Sequence, residues 1–179
     1  MLALGAYEGT PSHEQAAPLL WPATTEVKLT RQQPTVLMFV HPHCPCTLAS
    51  LEQLLDVLTR HDAQATLVVY EPADAAPEWT QGALWQLATQ HADRVQVVRD
   101  PNAQLAQRFR AATSGLCLVY GADERLRFAG GLTISRGHRG ANEGLQTLEQ
   151  VLTDADGGDA AQRFPVFGCA LYSAENESG

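Results

Sequence analysis

Charge is scarce in this chain: only 18% of its 179 residues are Asp, Glu, Lys or Arg, against about 25% in a typical soluble domain. Basic residues are scarcer still, 12 against 20 acidic ones, for a net charge of −8. No Lys/Arg cluster occurs, which excludes nucleic acid or an anionic membrane as the main partner, because both are held by basic patches. Long apolar runs are also missing, and none approaches the roughly 18 residues of a membrane span. Cysteine is sparse. Four residues, Cys44, Cys46, Cys117 and Cys169, cannot build a disulfide scaffold, so the core must come from packing and the thiols remain available for chemistry. Residues 1–7 (MLALGAY) lack the basic start and apolar stretch of a signal peptide and are compatible with the trimmed end of one, so the sequence itself carries no cellular address.

What is present is 45% hydrophobic residues, material for one good core, and a length that predicts one domain. Residues 1–33 read as an N-terminal linker with little periodicity, in which Trp21 is a candidate anchor. Residues 34–154 read as the domain. Its first element, residues 35–40 (TVLMFV), is the continuous apolar run of a strand buried on both faces. Residues 47–60 place Leu48, Leu51, Leu55 and Leu58 on one helical stripe. Residues 65–70 and 94–98 read as further strands, and residues 81–90 and 102–109 as helices. Strands alternating with helices predict a mostly parallel sheet. Residues 116–120 and 126–129 break that pattern, because a five-residue polar link allows only an antiparallel hairpin. Residues 142–153 read as the closing helix, with Asn142 as its N-cap. Residues 155–179 form a tail whose apolar part, 163–171 (RFPVFGCAL), is expected to dock because Phe164, Val166 and Phe167 are too apolar to remain in water.

Two cysteines directly after a buried strand and at the start of its helix give an order of elements that resembles the thioredoxin fold: a central mixed sheet flanked by helices, with a C-terminal hairpin and closing helix. Four blocks narrow the resemblance to the bacterial thioredoxin-like RedB family: residues 41–47 (HPHCPCT), 113–115 (TSG), 130–140 (GGLTISRGHRG) and 165–169 (PVFGC). It spans about residues 34–171. The resemblance implies thiol–disulfide exchange on a protein thiol or disulfide substrate, without a cofactor, in a periplasmic or membrane-tethered extracytoplasmic protein. The domain is expected to be a monomer that does not itself contact the membrane.

Physical chemistry supports the cysteine pair independently. Proline suits the first position of a helix, which makes Cys44 the expected N-cap, its sulfur near free N–H groups and the positive end of the dipole. Such a site favours the thiolate, and protonated His41 or His43 would add to the effect. Cys46 is then the natural resolving thiol. One residue between the cysteines, where thioredoxins have two, implies a small, strained and easily reduced ring. Ser114 matches the position where thioredoxins carry a cis-proline, which puts their usual mode of holding a polypeptide in question and opens the site to metal. No Thr or Ser precedes Cys44 by three residues, so the peroxiredoxin pattern is absent.

Topology brings the loop after the hairpin to the same end, with Thr133, Arg136, His138 and Arg139, of which Arg136 or His138 is placed to stabilise a thiolate or pass a proton. Cys117, mid-strand, reads as a small buried hydrophobe. Cys169 is either a third thiol, a metal ligand or a docked, inert cysteine. Two rival functions stay open. One is copper binding or delivery through Cys44, Cys46, His43 and Cys169, and the other is a redox-inert binding module.

Overall fold

The computed structural model describes residues 11–12, 16–23, 25–154 and 160–172; the expectations for residues 1–10, for the polar segment 155–159 and for residues 173–179 lie outside the described residues. Strand β1 (Thr35–Val40) is buried along its whole length. Its alternate side chains enter two different cores, Val36, Met38 and Val40 one of them and Leu37 and Phe39 the other, as the two-residue period of a central strand requires. Each such burial contributes about 1.5–3 kcal/mol.

Parallel partners lie on one side of β1, first β2 (Ala65–Glu71) and then β3 (Val95–Pro101). On its other side β4 (Cys117–Tyr120) runs antiparallel, followed by β5 (Leu126–Gly130) and the short β6 (Gln162–Arg163). The six-stranded order is β3-β2-β1-β4-β5-β6, the mixed sheet with a terminal hairpin expected of the thioredoxin-like class. Helix α1 (Pro45–Arg60) starts two residues before the apolar stripe suggests, because the fixed φ of Pro45 suits the first helical position. Helices α2 (Ala83–Gln90) and α4 (Glu143–Thr153) complete the layer on α1's face, where Leu51, Leu54, Leu58, Leu84 and Leu148 fill the core. Asn142 is the N-cap of α4, its side chain accepting the Leu145 N–H at 2.9 Å.

The opposite layer is thinner. Helix α3 (Gln104–Arg108) is shorter than the sequence suggests, since Asn102 and Ala103 take the left-handed conformation with φ of 55° and 57°. β3 instead extends to Pro101, and the buried Asp100 at its end caps α3 by accepting the Leu105 and Ala106 N–H groups at 2.7 and 2.9 Å. Part of the segment expected as a linker packs here: Ala17 and Val27 are buried, and Trp21 meets Phe109 and Tyr120 edge-on, with ring centroids 5.1 Å away in each case.

The tail completes this layer. Phe164 N–H donates to Ala129 O at 2.9 Å, Ser114 N–H to Cys169 O at 2.8 Å and Leu171 N–H to Ala112 O at 2.8 Å. It thus follows β5 and then crosses to residues 112–114, burying Val166, Phe167 and Leu171. Antiparallel pairing brings the end of β1, the start of β4 and the end of β5 to one edge of the sheet. The cysteine loop lies there. Among the described residues no helix is long and apolar enough to cross a membrane.

Candidate active site at the cysteine loop

Cys44 is the N-cap of α1, in extended conformation, with Pro45 following as the first helical residue. The loop is set by backbone bonds: Cys44 N–H donates to His41 O at 3.0 Å, and Thr47 N–H to Cys44 O at 3.2 Å. Cys44 is only 3% exposed, while Cys46 and Cys169 are half-buried. All three are free thiols.

Ser114 holds the surroundings together. Its hydroxyl accepts the His41 N–H at 2.7 Å and lies 2.6 Å from the Thr47 hydroxyl, and its backbone N–H holds Cys169 O. Gly115, with φ of 95°, then turns the chain into β4, a conformation that favours glycine. The fit against the tail is close. A Cβ on Gly168 would stand 1.8 Å from Ser114 O, so only glycine lets the tail approach near enough to present Cys169.

Burial is the largest influence on Cys44 and pushes its thiol up, but hydrogen bonding from the Cys169 thiol and the Thr47 hydroxyl outweighs it, with help from the backbone N–H groups of Cys169 and Cys46. The net pKa lies below the ordinary thiol value. The sulfur makes no full capping hydrogen bond, so these N–H groups act on it as nearby dipoles. The donor order follows. Thr47 spends its single hydroxyl proton on the Cys44 sulfur, so in its contact with Ser114 it accepts and Ser114 donates. The other two thiols move the opposite way. Burial with the charge and hydrogen bond of Cys44 raises Cys46, and burial with the hydrogen bond and charge of Cys44 pushes Cys169 up to about 12, while the Arg136 guanidinium opposes both shifts.

Arg136 is the member of its loop that reaches the sulfurs. It also donates to Gly168 O at 2.5 Å and to the Ser12 hydroxyl at 3.1 Å. Its neighbours in the loop are engaged elsewhere. His138 Nδ1 lies 2.7 Å from Arg136 O within the local turn, and Arg139 pairs with Glu52 and Asp56 of α1 at 3.3 and 2.5 Å. Thr133 is buried, its hydroxyl without a hydrogen-bond partner among the described residues. Cys117 is fully buried with its thiol pushed far up by desolvation.

The histidines lie beside the cysteines but serve another structure. His43 N–H donates to His41 Nδ1 at 3.2 Å, and the His43 Nε2 lies 2.9 Å from Trp79 O. Ring centroids of His41 fall 5.5 Å from Tyr70 and 5.4 Å from Trp79, and His43 is 4.5 Å from Trp79. Burial, then the His43 charge, lowers the His41 pKa, which favours a neutral ring. Neither imidazole is among the groups that lower Cys44, so the thiolate is held by Thr47, Cys169 and backbone dipoles, without the addition that a protonated histidine would make. Sequence reasoning missed Tyr70 and Trp79. Trp79 lies in an aperiodic segment, and its indole N–H on Tyr70 O, 2.9 Å away, has no pattern to announce it. Among the described residues no group of three His, Cys, Asp or Glu side chains is arranged to hold a metal ion, and His43, committed to Trp79 O, does not join the three sulfurs.

No family model matches the chain, and no curated protein matches it in sequence. Solved structures do. A hypothetical protein from Sinorhizobium meliloti 1021 superposes with a TM-score of 0.64 and 16% identity, over 90% of this chain and 98% of that one. An uncharacterized conserved protein from Geobacillus kaustophilus gives the same TM-score and identity over 92% and 93% of the two chains. A secreted Mycobacterium tuberculosis disulfide oxidoreductase superposes more loosely, at 0.45 and 15% identity, over 68% and 81%. At such identities the likeness is one of fold: the chain shares its thioredoxin-like architecture with solved proteins over nearly its whole length, and its chemistry is read from the thiols themselves.

Proposed function

We propose that this protein is a thiol–disulfide oxidoreductase acting on a polypeptide substrate, with Cys44 as its nucleophile, and that it is a member of the RedB-like group its four sequence blocks resemble. One observation carries the proposal. The Cys44 sulfur is nearly covered, yet its pKa falls below the ordinary thiol value because its neighbours favour the anion over the cost of burial. Thiolate available near neutral pH is what exchange requires, and a merely structural buried cysteine has the opposite shift, as Cys117 does.

In the reducing direction, the Cys44 thiolate attacks one sulfur of a substrate disulfide. That bond breaks, the departing substrate thiolate takes up a proton, and a mixed disulfide joins Cys44 to the substrate. A second protein thiol then attacks the Cys44 sulfur and releases the remaining substrate thiol. Two electrons pass from the protein dithiol to the substrate, and the reverse sequence oxidises a substrate dithiol. Cys46, half-buried and two residues from the nucleophile, is a resolving candidate.

A groove of about 440 Å³ beside the site, with His41 and Tyr70 on one side and Ala170, Leu171 and Tyr172 on the other, offers room for the substrate chain. The exposed Ile134, in the Arg136 loop, offers an apolar contact. An oxidising, extracytoplasmic compartment suits a strained Cys-x-Cys pair. Copper delivery draws no support from the donor geometry. Reduction of a chromogenic aromatic disulfide should fall to the background rate in Cys44→Ser, and a variant as fast as wild type would overturn the proposal.

A further inference from the structure

We propose that Cys169, carried to the site by the docked tail, is the thiol that resolves the Cys44 mixed disulfide, so that the working disulfide joins Cys44 to Cys169 and spans the two ends of the fold. This rests on the exchange chemistry proposed above and names its second sulfur.

The tail is built to hold Cys169 in place. Its carbonyl accepts the Ser114 N–H at 2.8 Å, the next residue forms an antiparallel bridge with Thr113, and Gly168 fits against Ser114 O where no larger residue does. Arg136 and Ser12 grip Gly168 O from the other side, at 2.5 and 3.0 Å. These bonds leave the Cys169 thiol beside the Cys44 sulfur, as its hydrogen-bonding contribution to Cys44 records. Cys46 is less well disposed. Its thiol also lies within hydrogen-bonding reach of Cys44, but a bond between the two would close a ring across a single residue. Drawing the Cys46 sulfur onto Cys44 strains the turn in which Thr47 N–H holds Cys44 O and Pro45 fixes the backbone between them.

Electrostatics supply an order of events. While Cys44 is a thiolate, its charge and hydrogen bond keep the Cys169 proton in place. Once Cys44 is bound in a mixed disulfide its charge is gone, so only burial and the Cys46 charge still stand against Arg136, and the Cys169 proton is held less tightly. The Cys169 thiol then loses its proton, its sulfur attacks Cys44 Sγ, and the substrate thiolate leaves and takes up a proton. The two protein thiols together have given up two electrons and two protons.

The test uses the full chain and oxidised glutathione as probe, with acid quenching, alkylation and non-reducing peptide mapping. In wild type the main intramolecular bond should be Cys44–Cys169. In Cys169→Ser the glutathione adduct on Cys44 should persist about tenfold longer, whereas Cys46→Ser should change its lifetime by less than about threefold. Gly168→Ala keeps every thiol but displaces the tail, and should behave as Cys169→Ser does. Its circular dichroism reports whether it folds, and where it does not, the two cysteine variants decide. A Cys44–Cys46 bond alone, with Cys169→Ser resolving at the wild-type rate, overturns this inference while leaving the exchange chemistry intact. Failure of Cys44 to form a glutathione adduct in any variant overturns both.

Discussion

The Ser114 hydroxyl lies 2.6 Å from the Thr47 hydroxyl, and both residues are fully buried. The pair joins the helix that presents Cys44 to the turn that receives the tail, and passes polarisation from the His41 N–H toward the reactive sulfur. Ser114→Ala would leave the His41 N–H and the Thr47 hydroxyl short of a partner. We expect a loss of about 1–3 kcal/mol in unfolding free energy, read from denaturant midpoints, together with a higher Cys44 pKa. An unchanged midpoint and an unchanged thiol titration would show that water replaces the hydroxyl without cost.

The four thiols should separate by pH. Alkylation of Cys44 by iodoacetamide should reach its half-maximal rate below the ordinary thiol value, and Cys46, Cys169 and Cys117 above it, since their shifts run in opposite directions. The midpoint is the diagnostic quantity, because burial slows the absolute rate at Cys44 without moving its titration. Mass spectrometry of labelled peptides across pH 5–11 gives the Cys44 midpoint and shows whether the other three thiols are still rising above it. A common midpoint near 8.5 would remove the special character of Cys44.

Arg136 opposes the upward shifts of Cys46 and Cys169 and holds Gly168 O. Arg136→Gln therefore should raise both midpoints further and move that of Cys44 least. Multiple-turnover disulfide reduction should slow more than the first alkylation of Cys44. Equal slowing of the two steps would mean that the variant has disturbed the nucleophile itself.

His41 gives the protein an acid-side dependence. Burial, with the His43 charge, lowers its folded pKa below the unfolded value of 6.5, so the unfolded chain takes up the proton first. Its contribution to stability is thus complete above pH 6.5 and is lost as pH falls through the lower, folded value. A protonated Nδ1 also cannot accept the His43 N–H. Thermal melts between pH 5 and 7.5 should show a slope that His41→Asn flattens. A slope of the same size in that variant would assign the effect to other groups.

Local signals made half of this site legible. The buried run of β1, proline after Cys44 and the helical stripe behind it fix the strand, the N-cap and the helix through interactions between near neighbours, and the five-residue link before Leu126 forces the hairpin that brings Ser114 and Arg136 to the same edge. What lay beyond reach depends on contacts without a period. Trp79 reaches His43 from a segment with no repeating pattern, and Asp100, beyond the strand read at residues 94–98, is buried because it caps the next helix. The histidines illustrate a different gap. Their position beside the cysteines follows from the sequence, but the lowered pKa of His41 depends on burial, in surroundings that include Tyr70 and Trp79.

The tail's path along β5 and onto residues 112–114 has a mechanical consequence. In the reduced state it is held by hydrogen bonds and by a few buried side chains, so a machine that unfolds proteins by pulling from the C-terminal side meets residues 169–171 on 112–114 first, then β6, and can peel both away. With Cys44 and Cys169 joined, the same pull is transmitted through sulfur to the N-cap of α1 and the end of β1, at the centre of the sheet. Every strand but β1 then lies inside one covalent loop. Threading should stall at Cys169 until the bond is reduced, which would make the force needed to dismantle this protein a readout of its oxidation state.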